Sequence, residues 1–474
     1  MTSTRRTKKR LLQLKDFKHL QQVDKEVLWH PYTQMAEYAA GDPIIIDRGD
    51  GPYLYDIRRR RFLDAFGSMW CNVWGHSRPE LVKAIQQQAE RLAHTSLFSV
   101  SHTPAIQFAD LLVEAIAEDF RFAPDPCALK HVFYSDNGST AVEVAMKMAL
   151  QFQNQTGQIK RTQFLSFHDG YHGDTFGAMA ASSIDVFRRK FAPSLFKVHH
   201  ATYPTQVDPD ERPDNFRSVD RQLEATLAGN SDRLAAVIIE PVIQGASGMR
   251  PLADDFLARV KKYCHEYGIL LITDEVFTGF CRTGPIIASS AELVEPDIIC
   301  LGKGITGGIM PMGVTVASDR VYGAFQGEWK DFNHLLHGHT FSGNPIACAA
   351  AIANLNLTKQ EKLKENVKLR AREFSYHLKR RIAPHPRVGK IRQKGLAIGV
   401  PILDARGSED GGYEARKDAN LVCREAINQR VLLRPLGNVI TIVPPLAIGS
   451  EHVEEIVAAL EQSLKVFDKD PSQP

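Results

Sequence analysis

Gly268-Ile269-Leu270-Leu271-Ile272-Thr273-Asp274-Glu275-Val276 and Asp297-Ile298-Ile299-Cys300-Leu301-Gly302-Lys303-Gly304 decide how this chain is read. Each is a short apolar run, rich in β-branched residues and bounded by Gly, Pro or Asp. That is the pattern of a strand buried on both faces. His131–Asp136, Arg161–Phe167, Ala235–Val242 and Met312–Ala317 repeat it, with helical stretches such as Ala141–Phe152 and Asp254–Glu266 between them. Strand–helix alternation predicts an α/β fold, a mainly parallel sheet with helices on both faces. Ligands of such sheets sit beyond the carboxyl ends of the strands.

The rest of the chain frames that core. From about Asn344 the texture changes to an Ala-rich helix, a charged helix over Lys362–Ile382, and strands over Gly395–Leu403, Val431–Arg434 and Val439–Val443. A helix over Glu451–Phe467 closes this part. It reads as a smaller α+β domain, joined by the strand-like Ile44–Asp47 and Tyr53–Asp56. The expected division is a basic tail over 1–25, the first part of the small domain over 26–75, a large domain over 76–343 and the rest of the small domain over 344–474.

Composition excludes several function classes. The chain has 474 residues, 43% hydrophobic and 24% charged, with a net charge of +3, so disorder and a concentrated basic surface for nucleic acid are not expected. No apolar run is long enough to cross a bilayer. The cysteines are scattered without a CxxC pair, which reads as reduced thiols in the cytoplasm rather than disulfides or a zinc site. His334, His337 and His339 lack a frame that would fix a metal, and none is expected.

The strand ends carry the chemistry. Ser135-Asp136-Asn137-Gly138-Ser139-Thr140 precedes a helix, so its small residues offer free N–H groups to a phosphate. Gly170-Tyr171-His172-Gly173 lets an aromatic ring lie over something planar. Asp274 ends one apolar strand and Lys303 the next. Each feature alone has a plain structural reading: a cap, a turn, a salt bridge, a surface lysine. Together, in this order, they fit a pyridoxal phosphate site, with Lys303 forming the Schiff base and Asp274 facing the pyridinium. Gly302-Lys303-Gly304-Ile305-Thr306-Gly307 also matches GxGxxG, but Gly308, Pro311 and Gly313 forbid the helix that a dinucleotide site needs.

At this point the motifs match a family. Leu271 to Gly284, followed by Gly302-Lys303-Gly304, resembles the signature of the class III pyridoxal-phosphate aminotransferases. The resemblance runs from about Trp29 to Leu460. It implies a fold-type I transferase and a homodimer with shared sites. Trp29-His30-Pro31-Tyr32-Thr33-Gln34, Gly170 to Met179 and Gly338-His339-Thr340-Phe341-Ser342-Gly343-Asn344-Pro345 are most similar to the branch that aminates 8-amino-7-oxononanoate in biotin synthesis. For that branch the amino donor would be S-adenosyl-L-methionine. L-lysine as donor, another ω-amino-acid aminotransferase and an aminomutase are the alternatives.

By the same resemblance Lys303, Asp274 and Tyr171 are catalytic. Gly138 and Ser139 bind the phosphate, Tyr171 stacks on the cofactor, and His339 with Thr340 reaches the neighbouring subunit's phosphate. Tyr32, Trp70 and Gly338 line the substrate pocket, and Arg434 grips a carboxylate, which suits its planar fork. Met69-Trp70 stands where the best-known members carry two tryptophans, and Phe277 where the general pattern has Gln. A non-catalytic relative would have no use for a buried Lys and Asp at those strand ends.

Overall fold

A computed structural model describes residues 17–124, 127–205, 215–409 and 417–468. Its central sheet has seven strands. Edge to edge they are Leu129–Ser135, Gly313–Ser318, Ile298–Leu301, Leu270–Asp274, Leu234–Ile239, Gln163–Phe167 and Val198–Ala201. Every residue of Leu234–Ile239, Leu270–Asp274 and Ile298–Leu301 is buried, as a sheet covered on both faces requires. The long helix Gly138–Gln155 packs one face through Val142, Ala145 and Ala149. Helices Phe216–Asn230 and Phe256–Glu266 cover the opposite face, through Leu165, Val237, Ile239 and Leu271.

Five of the strands run parallel in register. Thr273 lies beside Ile239 on one side and Ile299 on the other, and Asp274 beside Cys300. Gly313–Ser318 is the exception, antiparallel to both its neighbours. The sheet is therefore mainly parallel, and its carboxyl edge collects Asp274, Glu240 and the loop of Lys303.

The C-terminal part builds a four-stranded antiparallel sheet in the order Arg392–Lys394, Ala397–Pro401, Val439–Ile442, Arg434–Leu436. The single strand expected over Val431–Arg434 is divided. Val431 and Leu432 pair in parallel with Leu63 and Asp64, and Arg434 opens a strand of the other sheet. Pro435 has no N–H with which to extend the first pairing. Through Val431 the N-terminal strands Ile46–Asp50, Tyr53–Asp56 and Arg61–Asp64 join the C-terminal part.

Part of the expected basic tail is ordered. Residues 1–16 lie outside the described residues, but Phe17–Val27 is a helix with none of its residues buried. Tertiary contacts hold it: the Arg58 guanidinium lies 3.5 Å from the Phe17 ring centroid, and Lys25 Nζ donates to Gly41 O at 2.7 Å.

Candidate active site

Strand ends bring three ionisable groups together. Asp274 ends its strand buried, its Oδ2 2.7 Å from His172 Nδ1, and its Oδ1 accepts from Val276 N at 3.1 Å. Glu240 follows Leu234–Ile239 and accepts from Tyr171 N at 3.1 Å and Gly245 N at 3.0 Å. Lys303 follows Ile298–Leu301 and Gly302. Burial pushes its ammonium below the ordinary lysine value, while Asp274 and Glu240 pull the other way. Burial also lifts the Glu240 carboxyl to about 7, with the nearby Asp274 adding to it and His172 opposing. A lysine with a lowered pKa is a stronger nucleophile at neutral pH.

An anion cradle faces this cluster. Asn137 caps the helix Gly138–Gln155, its Oδ1 accepting from Thr140 N at 3.1 Å. The first N–H groups of the helix, at Gly138 and Ser139, have no intrahelical partner. Backbone crowds in here. A Cβ on Gly138 would stand 2.4 Å from Val276 Cγ1, and one on Gly302 would stand 3.2 Å from Gly138 Cα. Gly173, at φ +132°, has the Ser139 side chain against it. The glycines thus let three loops converge where a phosphate would meet a positive helix end.

Aromatic side chains wall the space beside Lys303. The Trp70 and Phe277 rings are 4.7 Å apart, and Lys303 Nζ lies 5.2 Å from the first and 5.3 Å from the second. Tyr171 meets Phe187 edge-on at 5.8 Å, and Tyr32 meets the same ring at 5.3 Å. Tyr32 and Tyr171 hydroxyls are 3.4 Å apart, and Tyr32 also donates to Asp174. Burial, with Tyr32 and Asp174 nearby, raises the Tyr171 hydroxyl above its ordinary value. A Cβ on Gly245 would strike the Phe277 ring, so this glycine admits both rings.

Met69 and Trp70 part company. Trp70 is buried beside Lys303, whereas Met69 is 40% exposed and its sulfur accepts from Arg434 Nη1 at 3.0 Å. The two sit on consecutive left-handed residues, at φ +69° and +70°.

Lys303, Asp274, Tyr171, Tyr32 and Trp70 thus form one neighbourhood beside Gly138 and Ser139, and Arg434 reaches it through Met69. Gly338, His339 and Thr340 are separate, on a loop whose Gly338 and Thr340 are exposed. His339 Nδ1 is 2.7 Å from Asp136 Oδ2, next to the anion cradle. Sequence reading passed over Glu240, although it carries the signal that found Asp274: an acid directly after an apolar strand. It also gave His172 no role. Among the described residues, no group of three or more His, Cys, Asp or Glu is placed to hold a metal ion.

The residues fit a phosphorylated, planar, electron-poor ring. Two buried polar atoms here, Trp70 Nε1 and Ser135 Oγ, have no hydrogen-bond partner among the described residues. The cradle, Asp274 and Lys303 supply an anion site, a buried carboxylate and an amine around one slot.

Comparison with known proteins agrees. The family model for aminotransferase class-III matches residues 35–464. The chain is 37% identical over 463 residues to adenosylmethionine-8-amino-7-oxononanoate aminotransferase of Methanocaldococcus jannaschii, covering 95% of this chain and 98% of that one. It is 38% identical over 469 residues to the protein of the same name from Aquifex aeolicus, covering 96% and 99%. The solved Methanocaldococcus jannaschii structure superposes with a TM-score of 0.88 at 36% identity, over 95% of this chain and 99% of that one. A PLP-bound amine transaminase from an uncultivated Pseudomonas species does so with 0.86 at 32%, over 93% and 99%. The chain belongs to the class-III aminotransferases, which are pyridoxal-phosphate-dependent enzymes.

Proposed function

We propose that this aminotransferase moves an amino group from S-adenosyl-L-methionine to 8-amino-7-oxononanoate, giving 7,8-diaminononanoate for biotin synthesis. The observation that carries the reading is Lys303 set beside Asp274 at the carboxyl edge of the sheet, in a chain 36–38% identical to several proteins named for that reaction.

When bound, pyridoxal phosphate supplies an electron sink for the carbon that loses its proton. The chain's own residues do the rest. N–H groups of Gly138 and Ser139 would hold the phosphate. Tyr171 would cover one face of the ring. Asp274, kept in place by His172, would offer a carboxylate to the ring nitrogen. Lys303, its basicity reduced by enclosure, would take the proton from the donor's Cα onto Nζ as base and give it up again from Nζ as acid. Trp70 and Tyr32 line the acceptor's path and shut out water. Arg434 binds the acceptor's carboxylate at the far end, a task that a fork of donors performs bidentately.

We propose further that two copies share their sites and that the enzyme works in the cytoplasm. Phe98, Leu336 and Phe341 are 62%, 68% and 60% exposed. Phe98 packs against Gly338, where a Cβ would stand 2.7 Å from its ring, so all three surround the loop of His339 and Thr340. A second copy would cover this apolar surface and bring that loop to its neighbour's phosphate. Among the described residues no helix is long and apolar enough to cross a membrane.

The direct test offers the purified enzyme 8-amino-7-oxononanoate with S-adenosyl-L-methionine or with L-lysine. Diaminononanoate is expected with the first donor. Formation with lysine alone would move the assignment to the other donor, and none with either would overturn the substrate.

A further inference from the structure

We propose that Asp64 is a positioning residue of this site: its buried carboxylate locks a left-handed turn that sets Trp70 beside Lys303 and Met69 against Arg434. The proposal rests on the reading of Lys303 and Arg434 given above.

The turn is unusual backbone. Gly67, Ser68, Met69 and Trp70 take φ values of +57°, +46°, +69° and +70° in succession. Left-handed residues other than glycine are normally isolated, because Cβ crowds the following carbonyl. Three in a row persist only where their surroundings over-determine them. Asp64 is such a surrounding. It ends the strand Arg61–Asp64 and is fully buried. Its Oδ1 accepts from Ser68 N at 3.2 Å, and its Oδ2 accepts from Ser68 Oγ at 2.8 Å and lies 3.0 Å from His76 Nε2. The carboxylate therefore spends both oxygens on the first strained residue and on the histidine just beyond the turn.

The other end is tied as well. Asn72 N donates to Gly67 O at 3.1 Å, and Asn72 O accepts from the buried Arg282 Nη2 at 3.2 Å. Gly67 fits because a Cβ there would stand 2.5 Å from Val443 O. Between these ties the chain can point only one way. Released to right-handed dihedrals, it would swing Met69 and Trp70 to new directions. Met69 would leave the Arg434 guanidinium. Trp70 would leave Phe277 and Lys303.

The experiment compares wild-type holoenzyme with Asp64→Asn, Ser68→Ala, and Asp64→Asn/Ser68→Gly, with Trp70→Phe as a spectral reference. An amide keeps the shape of Asp64 but has one acceptor oxygen: set where Oδ2 serves Ser68 Oγ and His76, it leaves an NH2 group facing the Ser68 N–H that Oδ1 accepted from. Asp64→Asn is expected to raise the acceptor KM by roughly tenfold and to lose the near-ultraviolet circular dichroism band that Trp70→Phe identifies. Ser68→Ala removes one of the contacts and should show both changes in smaller measure. Glycine takes the left-handed conformation without steric cost, so the double variant should recover at least part of the KM and of the band. An Asp64→Asn enzyme with wild-type KM and an intact Trp70 band would overturn the proposal, as would a double variant no better than the single one. Should Asp64→Asn fail to fold, the Ser68→Ala band and KM decide alone. If wild type does not aminate the oxononanoate, the substrate reading fails, and the Trp70 band still decides the role of Asp64.

Discussion

His172 Nδ1 and Asp274 Oδ2 stand 2.7 Å apart, with 1% and 5% of their side chains exposed. A hydrogen bond to a buried carboxylate is worth about 1.5–3 kcal/mol. This one holds Asp274 in a single orientation at the strand end. His172→Leu should therefore bind the cofactor and turn over roughly ten- to a hundredfold more slowly. Steady-state kcat of the purified variant is the measurement, and an unchanged kcat would deny the histidine this role.

Arg434 approaches the pocket with its guanidinium against Met69. Lysine keeps the charge but not the fork. Arg434→Lys should raise the KM for the carboxylate-bearing acceptor by roughly tenfold and leave kcat within about twofold. Initial rates over a range of acceptor concentrations separate the two parameters.

Gly138→Ala places a methyl group 2.4 Å from Val276 Cγ1, at the first turn of the cradle helix. Either Val276 or the helix end must shift. Cofactor affinity, read by titrating the apoprotein with pyridoxal phosphate, should fall by roughly tenfold or more, since overpacking costs about 1–3 kcal/mol.

Burial raises the Glu275 carboxyl from 4.5 to about 7, against hydrogen bonds from the backbone of Ala288 and Ser289. Between those values the folded protein holds a proton that the unfolded chain has released. The stability tied to that proton is full below about pH 4.5 and is lost as the pH rises through about 7. Glu275→Gln should remove this share of the decline. Denaturant titrations at several pH values in that window check it: the variant should lose less stability than wild type from low to neutral pH.

Arg282 is 3% exposed and spends its guanidinium on backbone, donating to Asn72 O at 3.2 Å, Leu396 O at 3.2 Å and Pro444 O at 2.7 Å. Burial lowers its pKa to about 9. Arg282→Met would leave three enclosed carbonyls without a donor, at a cost of about 2–4 kcal/mol in unfolding free energy. Chemical denaturation measures that loss directly.

The sheet and its chemistry were legible because burial is local in sequence. A strand covered on both faces is an unbroken apolar run, so the polar residue that ends it stands out, as Asp274 and Lys303 do. Glu240 carries the same mark and was open to the same reading. The turn over Gly67–Trp70 was not, because its cause lies elsewhere: Asp64, His76, Arg282 and Val443 hold it, and no propensity of Ser, Met or Trp favours it. The division after Leu432 is of the same kind, since Leu63 and Thr441 decide which sheet each half joins. Likewise, helix Phe17–Val27 is held by Arg58 and Gly41, which lie outside its own pattern.

Gly313 lies opposite Ser135, where the one antiparallel strand of the central sheet meets the strand that leads into the cradle. Gly313–Ser318 also pairs with Ile298–Leu301, whose end launches Lys303. The amine and the anion cradle are therefore gauged from a single ruler. Lengthening the segment between Lys303 and Gly313 leaves both neighbours aligned, whereas slipping the strand by one residue displaces amine and cradle together.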